Sequence, residues 1–366
     1  MRPTIAYIDT FALRDNFNLI KNIVGSKVKI ISVVKANAYG HGIIPVSKVL
    51  EKAGTDFLAV AIAEEGVKLR EAGIKKPILL LGGIPPEQIN EIVKYNLIPV
   101  VYDTRNLQEL SKAAFKLKRK IKFHLKVDTG MGRLGVKVKD ALKLIDGIVN
   151  FKGLEMTGVL SHFATSDSPD FDYAEYQFNN FKAVINKVKG NSLLKHMANS
   201  AAIFLNKNFH FDAVRPGISL YGINPFDGKR NLSLKPVMTL KTKILSIKQL
   251  KKGESVSYGR TYKTTRNTKM AVIPIGYGDG YHRLLSNKGE VIIKGNKLPI
   301  IGIICMDLLM VDITDVKGAN SSDEVILIGK SGNNEISAAT LAKSAGTIPY
   351  EIFTSINSRV PREYIG

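Results

Sequence analysis

Between residues 28 and 222 the chain repeats one pattern, a short apolar run followed by a helical stretch. The apolar runs fall at 28–34, 57–61, 77–81, 98–102, 121–127, 155–160, 194–198 and 213–220. Helical patterns occupy 63–73, 86–95, 104–117, 138–148 and 173–188, the first ending on the C-cap signal Gly73. After the seventh run, 201–206 has room for a helix of only about two turns. Runs this apolar suit strands buried on both faces, and strands joined through helices lie parallel. Eight of them predict an α/β fold, a (β/α)8 TIM-type barrel.

The texture changes near residue 230. Pro225-Phe226-Asp227-Gly228 and Arg230-Asn231 read as a linker. Beyond it come β-rich stretches at 237–247, 270–275, 291–293, 300–304, 309–313 and 325–328, with one helical pattern at 338–345. Turn signals such as Lys252-Gly253, Lys288-Gly289 and Gly295-Asn296 separate them. A length of 366 residues exceeds one small core. The expected domains are therefore the barrel, 1–230, and a mostly β C-terminal domain, 231–366. Within residues 1–9, the strand pattern Thr4-Ile5-Ala6-Tyr7-Ile8 is available to pair with the second domain.

Chemistry in such barrels gathers at the C-terminal ends of the strands. Lys35 ends the first strand, Asp128 and Arg133 follow the fifth, and His162 ends the sixth. Asn199 and Ser200 end the seventh, while Arg215, Gly217 and Ile218 belong to the eighth and its exit. Loops after strands seven and eight commonly hold phosphate. A desolvated lysine has a lowered pKa and offers a free amine for a Schiff base. Tyr39 can donate its phenol to an anion, and Gly40 and Gly42 allow close backbone approach. The alternative for Lys35 is a strand-end lysine snorkelling to solvent.

The bulk properties exclude other classes. No apolar run approaches the ~20 residues of a membrane span, and the N-terminal residues carry no signal-peptide pattern. A single cysteine, Cys305, rules out an internal disulfide framework and a multi-cysteine zinc site, and fits a reducing, cytoplasmic setting. Six histidines show no paired ligand spacing, so no metal is expected. The net charge of +21 raises the question of nucleic acid or membrane binding. The basic residues are dispersed and lack interleaved aromatics, so a solvated lysine-rich surface is expected, with neither nucleic acid nor membrane as partner.

The nonapeptide Val34-Lys35-Ala36-Asn37-Ala38-Tyr39-Gly40-His41-Gly42 resembles the pyridoxal 5'-phosphate (PLP) attachment motif of alanine racemases. Lys126-Val127-Asp128-Thr129-Gly130-Met131-Gly132-Arg133-Leu134-Gly135, Ser161-His162-Phe163, Ala198-Asn199-Ser200 and Arg215-Pro216-Gly217-Ile218 also match. So do Val256-Ser257-Tyr258-Gly259, Pro274-Ile275-Gly276-Tyr277, Cys305-Met306-Asp307 and Ile348-Pro349-Tyr350-Glu351. They follow the family's order and cover nearly the whole chain.

The resemblance implies a PLP-dependent isomerase that interconverts L- and D-alanine by a two-base mechanism, supplying D-alanine for peptidoglycan. Lys35 would hold PLP and serve as one base. Tyr258, from the other subunit of a homodimer, would be the second, helped by His162 and Arg215. Arg215 would donate a hydrogen bond to the pyridine nitrogen, since an arginine does not protonate it. Tyr39, Ser200, Gly217, Ile218 and Tyr350 would cradle the phosphate beside Asn199. Arg133, the Met306 amide and Tyr277 would meet the substrate, with Tyr277 and Tyr350 narrowing the entrance to favour alanine.

Lys126 matches a position that is often carbamylated; an unmodified lysine paired with Asp128 is the alternative. Arg215 as a barrel-rim salt bridge, and Tyr258 as an amphipathic surface tyrosine, are the other readings of those residues. Arg260 and Leu308 depart from the family pattern and bear on substrate breadth. The alternative function is a broader-specificity amino-acid racemase of the same fold. Tyr258, Arg215 and the narrow entrance argue against a decarboxylase, and the β domain argues against a barrel-only PLP carrier.

Overall fold

The computed structural model describes residues 3–168, 171–188, 193–226, 228 and 230–366. The chain divides into two compact units: Leu13–Ala38 with Ile43–Leu234, and Met1–Ala12 with Tyr39–Gly42 and Lys235–Gly366. Of the expected linker, Asp227 lies outside the described residues.

The first unit is a closed parallel barrel. Its strands, numbered one to eight, are Lys29–Val33, Phe57–Val60, Ile78–Leu80, Leu97–Val101, Ile121–Asp128, Leu154–Leu160, Leu194–His196 and Ala213–Val214. Each pairs with the next, and Ala213 and Val214 close the ring against Lys29 and Ile30. The short apolar runs form strands because both their faces are covered: Ile78, Leu79 and Leu80 are all fully buried. The helix Thr104–Leu117 starts where Asp103 accepts from the Asn106 amide at 2.7 Å and stops at Lys118, which takes a left-handed conformation.

Two expectations in this unit are corrected. Strand eight does not run to residue 220; it stops at Val214 and the chain turns through a 3-10 helix, Ile218–Tyr221. Pro216 has no N–H to continue the ladder, and its carbonyl instead accepts from the Val33 amide at 2.9 Å. The pattern at 86–95 splits into a 3-10 turn, Pro86–Gln88, and the helix Ile89–Lys94.

The second unit is mostly β. Seven strands form one sheet, in which Ile5–Asp9 runs between Met238–Lys243, antiparallel, and Arg362–Ile365, parallel. Ser246–Leu250, Thr268–Ile273 and Leu309–Asp312 form a smaller antiparallel sheet. The stretch 300–304 is not a strand: Ile300 makes one isolated bridge to Val311, and Gly302 has φ +75°. Its Cα packs against the Val256 carbonyl, where a Cβ would come within 2.8 Å. The unit also has two helices rather than one, Ala338–Ala345 and Pro349–Ser355.

Candidate active site

The barrel candidates all leave the C-terminal ends of strands. Lys35 stands two residues beyond strand one, Asp128 closes strand five, His162 follows strand six, and Asn199 and Ser200 follow strand seven. Arg215 comes directly after Val214 of strand eight.

Arg215 is buried and fixed by four contacts. Its Nη1 donates to His196 Nδ1 at 2.7 Å, and its Nη2 donates to the Ser161 and Met197 carbonyls at 2.6 and 3.0 Å. The same Nη2 reaches His162 Nδ1 at 3.3 Å. Burial pulls the guanidinium down to about 9, still a cation at neutral pH. No carboxylate joins it among the described residues, so it is not a rim salt bridge. Because the arginine only donates, His196 Nδ1 must accept, and that ring carries its proton on Nε2.

Lys126 is buried on strand five, two residues from His124 on the same face. Burial, then the charges of Arg215 and Arg133, lower it to about 8. No ion pair joins it to Asp128 among the described residues; that carboxylate accepts from the Gly130 and Gly132 amides at 3.0 and 3.1 Å and shapes the loop. Lys35 is lowered too, by burial first and by Arg133 second, with Glu65 opposing. Four cations thus crowd the end of the barrel, an environment that favours an anionic ligand.

Ser200 Oγ accepts from the Gly217 and Ser219 amides at 2.9 and 3.3 Å and from Ser219 Oγ at 3.0 Å. It joins the exits of strands seven and eight and keeps its own proton to donate. Asn199 serves as a helix cap, accepting from the Ala202 amide at 3.0 Å and from Ser166 Oγ at 2.8 Å.

In the second unit Tyr39 is buried and packs against Tyr350, with ring centroids 5.8 Å apart. Tyr258, Met306 and Tyr277 are all exposed, at 70%, 53% and 43%. Three loops carry them and are tied together: Ser257 Oγ donates to the Ile303 carbonyl at 2.5 Å, and the Tyr277 amide donates to the Cys305 carbonyl at 3.1 Å. The Gly278 amide donates to the Met306 carbonyl at 2.8 Å, whereas the Met306 amide itself makes no hydrogen bond among the described residues. Arg260 is exposed and donates to Ser255 Oγ at 3.1 Å. Leu308 is apolar because it packs on the cluster of Val256, Met270, Val272, Ile301 and Met310.

Three residues of this region escape sequence reasoning. His196 accepts from Arg215, and His124 Nδ1 lies 2.9 Å from His196 Nε2. Their signal was a histidine at an interior position of a barrel strand, between apolar residues in His124's case and before Met197-Ala198 in His196's. Glu65, on the helix Ala63–Glu71, accepts from the Ala36 amide at 2.6 Å.

The alanine racemase N-terminal domain model matches residues 8–225, and the alanine racemase C-terminal domain model matches residues 237–364. The chain belongs to the alanine racemase family. It is 48% identical to an alanine racemase of Halothermothrix orenii over 99% of this chain and 97% of that one. The alanine racemase structure from Bacillus anthracis with bound L-Ala-P superposes with a TM-score of 0.94 at 37% identity, covering 100% of this chain and 96% of that one. The Bartonella henselae alanine racemase structure, with covalently bound pyridoxal phosphate, gives 0.92 at 34% identity and covers both chains completely. The family match spans barrel and β unit alike, so the barrel-only carrier is set aside. Among the described residues no cluster of His, Cys, Asp and Glu could hold a metal ion, and no helix is long and apolar enough to cross a membrane.

Proposed function

We propose that this chain is a PLP-dependent alanine racemase, interconverting L- and D-alanine with Lys35 and Tyr258 as the two bases. The observation that carries the reading is Lys35. Its amine sits beyond strand one, its pKa lowered by burial and by Arg133, within electrostatic reach of Lys126. A free amine among excess cations suits an anionic aldehyde cofactor. PLP, when bound, supplies the electron sink that makes the α-proton of alanine acidic.

The chain's own groups take the remaining tasks. Lys35 anchors the cofactor and moves a proton on one face of Cα. The Ser200 hydroxyl with Gly217 and Ile218 would receive the phosphate at the barrel end, with Asn199 supporting it, and Tyr39 and Tyr350 are the further phosphate contacts that the family resemblance implies. Arg215 donates toward the pyridine nitrogen and leaves it unprotonated, since the guanidinium does not release its proton. His162, 3.3 Å from Arg215 Nη2, would help Tyr258 act as the second base, as the family resemblance implies. Arg133 and the free Met306 amide bind the substrate carboxylate, and Tyr277 limits side-chain size. A carbamate on Lys126 would replace one of four crowded cations by an anion facing Arg133. The exposure of Tyr258 and Met306 suits a homodimer in which each chain completes the other's site. The product D-alanine would serve peptidoglycan synthesis.

The test is a chiral assay on the purified protein with either enantiomer. L- and D-alanine should converge on equal amounts, and borohydride should fix PLP onto Lys35. Peptide mapping that placed the reduced cofactor on another lysine would overturn the assignment.

A further inference from the structure

Four consecutive non-glycine residues after Lys35 lie in the left-handed region: Ala36 (φ +52°), Asn37 (φ +55°), Ala38 (φ +54°) and Tyr39 (φ +52°). Each such residue costs roughly 1–2 kcal/mol, so the turn persists only where its surroundings hold it. The Ala38 amide donates to the Val34 carbonyl at 2.8 Å, the Asn37 side chain accepts from the Ile43 amide at 2.9 Å, and the Tyr39 carbonyl lies 2.8 Å from His41 Nδ1; Glu65 adds a restraint from outside the segment. Its Oε1 accepts from the Ala36 amide at 2.6 Å and the Asn37 amide at 3.4 Å, and its Oε2 from the Ala61 amide at 2.9 Å. Glu65 is the third residue of the helix Ala63–Glu71, where a carboxylate ordinarily turns back to the N-cap amide. Here it bridges the end of strand two to the turn beyond strand one.

We propose that Glu65 is a positioning residue for Lys35: its carboxylate clamps the left-handed turn to strand two and sets the direction and charge environment of the lysine amine. The proposal builds on the reading of Lys35 as the reactive amine. The charged and titratable groups facing Lys35 are Arg133, Lys126, His162 and Glu65. Glu65 is the anion that raises the lysine's pKa against burial and Arg133. Removing it should leave the amine deprotonated at lower pH.

The experiment uses the cofactor-free protein. Lys35 is labelled with acetic anhydride across a pH series, and its midpoint is read by mass spectrometry of the Lys35 peptide. Glu65→Gln should lower that midpoint by about one pH unit, while Glu64→Gln, which removes an exposed carboxylate bonded to Gln88, should leave it in place. Glu65→Asp keeps the charge but is too short to reach both amides. It should hold the midpoint near the parental value while slowing the uptake of added PLP, read by absorbance, about tenfold. A parental midpoint in folded Glu65→Gln overturns the proposal, and parental PLP uptake in Glu65→Asp overturns it even where Glu65→Gln fails to fold. If PLP attaches elsewhere than Lys35 in the parent protein, the proposed function fails, whatever the labelling midpoints show.

Discussion

His196 faces Arg215 with an unprotonated Nδ1, 2.7 Å from the guanidinium. That bond sets a sequence of protons. His196 must carry hydrogen on Nε2, which donates to His124 Nδ1 at 2.9 Å, so His124 in turn is protonated on Nε2. Both rings are buried and neutral, and a proton added to either would stand beside a fixed cation.

This arrangement makes stability depend on pH. Burial and then Arg215 depress His124 to about 3, and burial and Arg215 also hold His162 and His196 well below the usual range. Below pH ~6.5 the unfolded chain takes up protons that the folded rings refuse, so stability is complete above that pH and falls as pH drops toward 3. Each histidine should contribute a slope of up to ~1.4 kcal/mol per pH unit. Urea unfolding between pH 7 and 4 should show it, and His124→Gln, which keeps an acceptor for His196, should flatten the slope by one proton. An unchanged slope would count against a neutral buried His124.

Gly158→Ala should destabilise the barrel by roughly 1–3 kcal/mol. Gly158 lies opposite His124 in the strand register, and a methyl there would meet the ring at 2.7 Å. The ring cannot retreat without breaking its bond to His196. Thermal unfolding measures the loss, and a parental melting temperature would show that the ring has room to move.

Tyr258→Phe should retain PLP and lose most turnover. In deuterated solvent the variant should still exchange the proton facing Lys35 while failing to invert Cα. Equal residual rates of exchange and inversion would speak against two bases.

Lys35→Ala and Tyr258→Phe, each inactive alone, should recover activity when mixed under conditions of subunit exchange. Each heterodimer would then contain one intact site. No recovery, with heterodimers demonstrated by mass spectrometry, would place both bases in one chain.

The barrel was legible because short, largely apolar runs alternate with helical patterns and its reactive residues sit where those runs end. Less visible features had physical reasons. Ala36, Asn37, Ala38 and Tyr39 carry almost no signal for positive φ, since only asparagine among them favours it; one of the contacts on the turn comes from Glu65, 29 residues from Ala36. The stretch 300–304 read as a strand because isoleucines surround Gly302, whose positive φ breaks it. The helix Pro349–Ser355 did have a start signal, Pro349 at its first position and Glu351 in its first turn. His124 and His196 could be noticed as histidines within barrel strands, but their partnership needs strands five and seven brought to the same interior.

The pairing of Ile8 with Met238 also has a consequence for synthesis. Strand Ile5–Asp9 leaves the ribosome early, but its antiparallel neighbour emerges about 230 residues later. At cellular translation speeds this is roughly 10–50 s, long enough for the intervening barrel to fold first. Its parallel neighbour, Arg362–Ile365, arrives later still. The strand therefore waits without its antiparallel neighbour until residues 238–243 are made and keeps one open edge until residues 362–365 follow, so the sheet of the second unit is completed only after the barrel's strands have all been synthesised.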